Sequence, residues 1–371
     1  MTQPDDLLPV GLEDALPARA AAITRAMRDV LEAMDRHGYD RVRPPLVEFE
    51  QSLAGRMDGV ATRHMVRFTD PDTLRTLALR SDITVQVGRI AATSMAQAPR
   101  PLRLCYAGEV ATIVADQLDP ARQRLQMGAE LIGSDNVASA IEAVTVALDA
   151  LEQAGVTGLS VDFTLPDLVD TLSAQALPLS NEARDAVRRE LDMKDAGALK
   201  ASGGEAYLPL LYATGPFDEA IDKLAAIDAG GALASRIEGL REIAAALGDR
   251  ARLTLDPSER HGFEYQSWFG FTVHAEGARA ALGRGGTYAI KGSEEAATGF
   301  SLYMDPILEA PGSDGSNEAR KTCFLPLGHD RAQAATLRKE EWRTLAAVDE
   351  IDDAAALGCT HVLTDGGPTA L

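Results

Sequence analysis

Arg122-Gln123-Arg124-Leu125-Gln126-Met127-Gly128-Ala129-Glu130-Leu131-Ile132-Gly133 is the stretch from which the fold can be read. From Leu125 onward it reads as a strand, and because alternate strand residues share a face, Gln126, Gly128 and Glu130 point the same way. The glycine leaves room between two polar groups, which is the geometry of a small polar pocket; a solvated sheet face is the other reading. Upstream, Leu102 to Ala111 reads as a further strand, and downstream Val137 to Gln153 reads as a helix with a strong apolar face. Strands of this kind with flanking helices imply an α+β fold, an antiparallel sheet with helices packed on it.

Toward the N-terminus, Pro17 to His37 is alanine-rich and places Ile23, Met27, Val30, Leu31 and Met34 at helical spacing, with Gly38 as the stop. Tyr39 to Val42 follows as a short strand that ends at Pro44-Pro45, where backbone donors are lost. Met65 to Thr69 and Leu74 to Leu79 read as a hairpin across Asp70-Pro71-Asp72. Toward the C-terminus, helical signals dominate from about residue 165 to residue 248. Strand patterning returns at Leu253 to Leu255, Phe263 to Val273 and Gly286 to Ile290, so a helical insertion interrupts one sheet. Gly283-Arg284-Gly285-Gly286 reads as a tight loop able to approach a ligand closely; it lacks the lysine and hydroxyl residue of a P-loop.

These features divide the chain into a core of residues 1–310, a linker of residues 311–320 and a small α/β domain of residues 321–371. The last reads as strand Cys323 to Leu327, helix Arg331 to Lys339, strand Arg343 to Val348, helix Ile351 to Leu357 and strand His361 to Leu363 around a parallel sheet.

Of the 371 residues, 46% are hydrophobic and 25% charged, the composition of a chain that folds. With 36 basic and 56 acidic residues the net charge is −20, which disfavours tRNA and other nucleic acids, whose binding draws on lysine and arginine neutralising phosphates. Cys105, Cys323 and Cys359 are far apart and read as reduced core thiols, and the six histidines show no metal-ligand spacing. The acidic N-terminus has no secretory pattern and no apolar run reaches the ~18 residues of a membrane span, so the expected location is the cytoplasm.

Segments spread in order from Leu8 to Met304 resemble the histidyl-tRNA synthetases, and most nearly their paralogues, the regulatory subunits of ATP phosphoribosyltransferase. They are Leu8 to Asp14, the helix, strand and proline of residues 17–45, Leu79 to Thr84, Leu102 to Glu109, Arg122 to Gly133, Arg260 to Ser267 and Thr298 to Asp305. The resemblance implies a class II aminoacyl-tRNA synthetase-like sheet and, through the first of the class II motifs, a homodimer. It also implies a site for L-histidine. Asp82, in place of the usual glutamate, and Thr84 would hold the ammonium, Gln126 would read it or another polar edge, Glu130 would accept from the imidazole, and Tyr265 would close over the ring. From residue type alone, Asp82 reads equally as the N-cap of a helix starting near Ile83, and Tyr265 as a packed strand aromatic.

The pattern departs from the synthetases where ATP would bind. Thr112 stands where arginine is expected in the second motif, Val114 where an acidic partner follows, His261 at the arginine of the histidine-specific run and Pro306 at the arginine ending the third motif. Gln266 replaces a tyrosine and Thr287 an arginine of a Gly-Gly-Arg-Tyr loop. Adenylation builds charge on the α-phosphate, which arginine meets bidentately and neither threonine nor proline can. The resemblance therefore implies a non-catalytic chain without cofactor. It would join the short-form catalytic ATP phosphoribosyltransferase subunit in a hetero-octamer, enhance the first step of histidine biosynthesis and transmit feedback by histidine. The alternatives are a divergent histidyl-tRNA synthetase, or a synthetase-like paralogue acting on another protein.

Overall fold

The computed structural model describes residues 8–54, 65–113, 120–260, 266–293, 295–312 and 321–371. Val114, His261 and Tyr265 lie outside the described residues. The chain divides into two compact units, Met1–Ser313 and Asp314–Leu371.

The larger unit begins with helix α1 (Pro17–Arg36), strands β1 (Asp40–Arg41) and β2 (Val47–Phe49), helix α2 (Glu50–Ala54), and strands β3 (Arg67–Thr69) and β4 (Thr76–Leu79). Helix α3 (Thr84–Ala92), strands β5 (Leu102–Ala111) and β6 (Gln123–Ile132), helix α4 (Val137–Gln153) and strand β7 (Leu159–Thr164) follow. An insertion carries helices α5 (Leu168–Gln175), α6 (Asn181–Asp192) and α7 (Ala196–Ala201), the short strand β8 (Gly215–Pro216), and helices α8 (Phe217–Ile227) and α9 (Ala234–Leu247). The chain then returns to the sheet through β9 (Arg252–Leu255), β10 (Gln266–Ala275), β11 (Gly283–Ile290) and β12 (Glu295–Tyr303), and ends this unit with helix α10 (Met304–Glu309).

Nine strands form one sheet in the order β1-β5-β6-β12-β11-β10-β7-β9-β8. Its five central pairings, from β5·β6 to β10·β7, are antiparallel, while β1·β5 and β7·β9 are parallel. The three-stranded sheet β2-β4-β3 holds the expected hairpin. Its turn is held by the Asp70 carboxylate, which accepts from the Asp72 N–H and the Thr73 hydroxyl.

Helices α1 and α4 form because alanine-rich segments carry an apolar stripe with good ends. Pro17 opens α1 and Gly38, at φ +80°, follows its end, while the Asn136 side chain caps α4 by accepting from the Ser139 N–H. Val30, Met34, Val144, Leu148 and Leu151 of the two helices are fully buried with Met127, Ala129, Phe271 and Phe300 of the sheet. At β5, β6, β11 and β12 a second cluster joins Ile83, Val85 and Val87 of the α3 segment to Leu104, Tyr106, Ile132 and Tyr288. The central strands are thus covered on both sides, and any polar group placed there must find partners inside the protein.

Gly283 to Gly286 is strand, not a tight loop. A Cβ at Gly285 would stand 2.5 Å from the Gly299 oxygen and 2.5 Å from the Phe271 ring, so glycine serves close approach of neighbouring strands rather than a turn.

The smaller unit contains β13 (Thr322–Leu325), α11 (Arg331–Lys339), β14 (Arg343–Ala346), β15 (His361–Thr364) and β16 (Gly367–Ala370), in the sheet order β14-β13-β15-β16. The first three strands are parallel as expected, but β16 returns antiparallel across Asp365-Gly366, a hairpin dipeptide. The expected helix Ile351 to Leu357 is a series of turns. Asp352 accepts from the Val348 and Asp349 N–H groups and Asp353 from that of Ala355, bonds that compete with a helix, and Ile351 is 86% exposed, so no apolar face is buried. Cys105, Cys323 and Cys359 are all buried and unpaired, and burial pushes the Cys105 thiol up to about 11.

Candidate functional site

In the sheet register, Gln126 lies opposite Tyr303, Gly128 opposite Tyr106 and Ser301, and Glu130 opposite Gly299. Directly paired residues project from one face, so β5, β6 and β12 bring Tyr106, Gln126, Glu130 and Ser301 together. The N-terminus of α3 adds Asp82 and Thr84, and β11 adds Tyr288. Gln126 and Glu130 are each 1% exposed.

Hydrogen bonds join all seven residues. Tyr288 donates to Glu130 Oε2 at 2.8 Å, and Tyr106 donates to Glu130 Oε1 at 3.3 Å. The Tyr106 oxygen also lies 3.0 Å from both Thr84 Oγ1 and Ser301 Oγ. A phenol has one proton to give, so when it goes to Glu130 the other two hydroxyls donate to Tyr106. Ser301 in turn accepts from Gln126 Nε2 at 2.8 Å. The same amide nitrogen reaches Asp82 Oδ1 at 3.3 Å, while Gln126 Oε1 accepts from the Ile83 N–H at 3.0 Å. A directed chain therefore runs from Gln126 through Ser301 and Tyr106 to Glu130, and such chains polarise one another in a low dielectric.

Burial drives the Glu130 carboxyl up to about 8, although the Tyr288 and Thr84 hydroxyls pull the other way. Burial also raises Asp82, opposed by the Thr84 N–H and Gln126. Two carboxyl groups held above their ordinary range by desolvation favour a ligand that brings N–H donors or positive charge. The network borders a cavity of about 270 Å³, open to solvent, whose lining includes Thr84, Glu130, Gln266, Arg284, Tyr288 and Ser301. That volume is at the low end of ligand pockets, roughly 300–1,000 Å³, and suits a metabolite of amino-acid size.

Of the residues singled out in the sequence, Asp82, Thr84, Gln126 and Glu130 converge here. Asp82 Oδ1 accepts from the Thr84 N–H at 2.7 Å, so the capping reading holds in local geometry, one residue displaced because α3 starts at Thr84. Asp82→Ala would strand that N–H and the Gln126 amide and is expected to cost about 2 kcal/mol in urea denaturation, with Asp82→Asn costing less than half as much. Thr112 ends β5 with its N–H on the Arg122 oxygen, and Pro306 lies in the first turn of α10. Thr287 serves the backbone: its hydroxyl accepts from the Phe269 N–H at 3.1 Å and donates to the Phe269 oxygen where the β10 register breaks. Gln266 donates to the Gly285 oxygen at 2.8 Å. Tyr106, Tyr288 and Ser301 were given no role in the sequence; alternation along β5, β11 and β12 was the available signal. Among the described residues no group of three or more His, Cys, Asp or Glu is placed to hold a metal ion, and no helix is long and apolar enough to cross a membrane.

The histidyl-tRNA synthetase family profile matches residues 11–307. The chain is similar to a crystal structure described as an ATP phosphoribosyltransferase regulatory subunit/histidyl-tRNA synthetase from Bacillus halodurans, with TM-score 0.82 and 21% identity over 96% of this chain and 97% of that one. It is also similar to the histidyl-tRNA synthetase of Nostoc, with TM-score 0.76 and 12% identity over 97% and 91%. Both likenesses show the class II synthetase fold. Proteins named ATP phosphoribosyltransferase regulatory subunit are 41% identical in Paramagnetospirillum magneticum, over 97% of each chain, and 39% identical in Rhodospirillum centenum, over 97% of this chain and 95% of that one. With likeness of this extent along nearly the whole length, the chain belongs to the family of ATP phosphoribosyltransferase regulatory subunits.

Proposed function

We propose that the chain is the non-catalytic regulatory subunit of an ATP phosphoribosyltransferase, acting with a separate short-form catalytic subunit in a hetero-octamer at the first step of histidine biosynthesis. Its pocket binds L-histidine and reports it to the partner. The observation that carries this reading is the closed polar network around Glu130 in a chain that has Thr112 and Pro306 where a synthetase needs arginine. Small-ligand recognition is kept while the means of stabilising the α-phosphate is absent at those positions. A net charge of −20 further disfavours tRNA. The chain forms a homodimer through the class II face of α1 and β1.

For regulation, histidine must favour one conformation over another, and a differential of ~1–3 kcal/mol is enough for useful coupling. The direct test is the rate of the short catalytic subunit with and without this chain across a histidine titration. Activation that histidine reverses is expected; absence of a complex and of any rate change would sink the reading. Glu130→Ala and Gln126→Ala are each expected to weaken histidine binding roughly tenfold or more by calorimetry, the worth of a hydrogen bond to a charged group. Unchanged affinity in both would move the histidine site elsewhere in the complex.

A further inference from the structure

The pocket is rich in acceptors. Glu130 and Asp82 stand along one side, and among the described residues Arg284 is the basic side chain lining the cavity. A free amino acid brings a carboxylate as well as an ammonium, and a carboxylate buried beside two others without a cation would be strongly disfavoured. Arg284 comes from β11, paired with Ser301 of β12 on one side and Thr272 of β10 on the other. Paired residues share a face, so Ser301, Arg284 and Thr272 form a row leading out from the Glu130 network. Thr272 is 1% exposed, yet its hydroxyl has no hydrogen-bond partner. A buried hydroxyl left this way is uncommon and is relieved by an incoming acceptor.

We propose that Arg284, with Thr272 beside it, forms the carboxylate subsite of the pocket, so that the site selects a free α-amino acid over analogues lacking that group. The guanidinium is permanently charged and can bind a carboxylate bidentately, while Asp82 and Glu130 take the ammonium and the ring N–H. Charge thereby separates along the cavity, negative at the α3 side and positive at the β10 side. This inference rests on the amino-acid reading above.

Calorimetric titration of the full chain with L-histidine and with L-histidinol, which keeps the ring and ammonium but lacks the carboxylate, tests it. The unmodified chain is expected to bind histidine on the order of 10- to 100-fold more tightly than histidinol. Arg284→Gln should lose that preference by weakening histidine alone, with histidinol affinity unchanged. Thr272→Val, close to the native shape, should reduce the preference several-fold. Retention of the full preference in Arg284→Gln overturns the subsite but leaves the histidine pocket standing. Failure of the unmodified chain to bind either compound overturns the amino-acid reading and the subsite with it.

Discussion

Glu130→Gln is expected to remove a loss of stability, on the order of 3–5 kcal/mol, that the native chain undergoes as pH rises from about 4.5 to about 8. Glu130 takes its ordinary value of 4.5 when unfolded and about 8 when folded. Between these values the folded chain holds a proton that the unfolded chain has released, so stability falls as pH rises, and the full loss is reached above the folded value. Below pH 4.5 the group is protonated in both states and costs nothing. Glutamine keeps an acceptor for Tyr288 and cannot ionise. Native and variant chains should therefore be of similar stability near pH 4.5, with the variant the more stable above pH 8. Urea denaturation at both ends of the range measures the difference between the two slopes. A difference below about 1 kcal/mol would show that the carboxyl is not desolvated as its 1% exposure indicates.

Local signals carried much of the architecture. Val137 to Gln153 and Leu102 to Ala111 were read with the bounds they have in the structure, because the helix has a continuous apolar stripe and a capping Asn136 and the strand lies beside its neighbour along its whole length. Gln126 and Glu130 were legible through strand alternation alone. The partners that complete their site were not. Tyr106, Ser301 and Tyr288 meet Glu130 only through the register of four strands separated in sequence by more than 150 residues at the extreme, as in the Tyr288 to Glu130 bond, and a single segment does not encode that register. Residues 283–286 failed for a related reason: glycine signals either a turn or a close approach, and only the neighbouring Gly299 and Phe271 decide which. In the small unit, Asp352 and Asp353 favoured local backbone bonds over a helix whose apolar side chains had nothing to cover.

Gly299→Ala is expected to abolish histidine binding while leaving a folded chain. A Cβ there would stand 1.7 Å from Glu130 Oε2, 2.6 Å from its Cδ and 2.8 Å from the Ala129 oxygen. The carboxyl would be forced out of its bonds to Tyr106 and Tyr288, and the crowded central strands should lose about 1–3 kcal/mol. Much of that loss originates in Glu130 itself, so the substitutions should not add. Glu130→Ala opens the volume that the new methyl needs, and Gly299→Ala in that background should cost less than it does alone, by at least about 1 kcal/mol in a double-mutant cycle. The residual cost reflects the Ala129 oxygen, which Glu130→Ala does not move. Additive losses would mean that the glycine is required by strand spacing alone; strong coupling would mean that it is required because β12 must leave space for the carboxyl that β6 presents to the ligand.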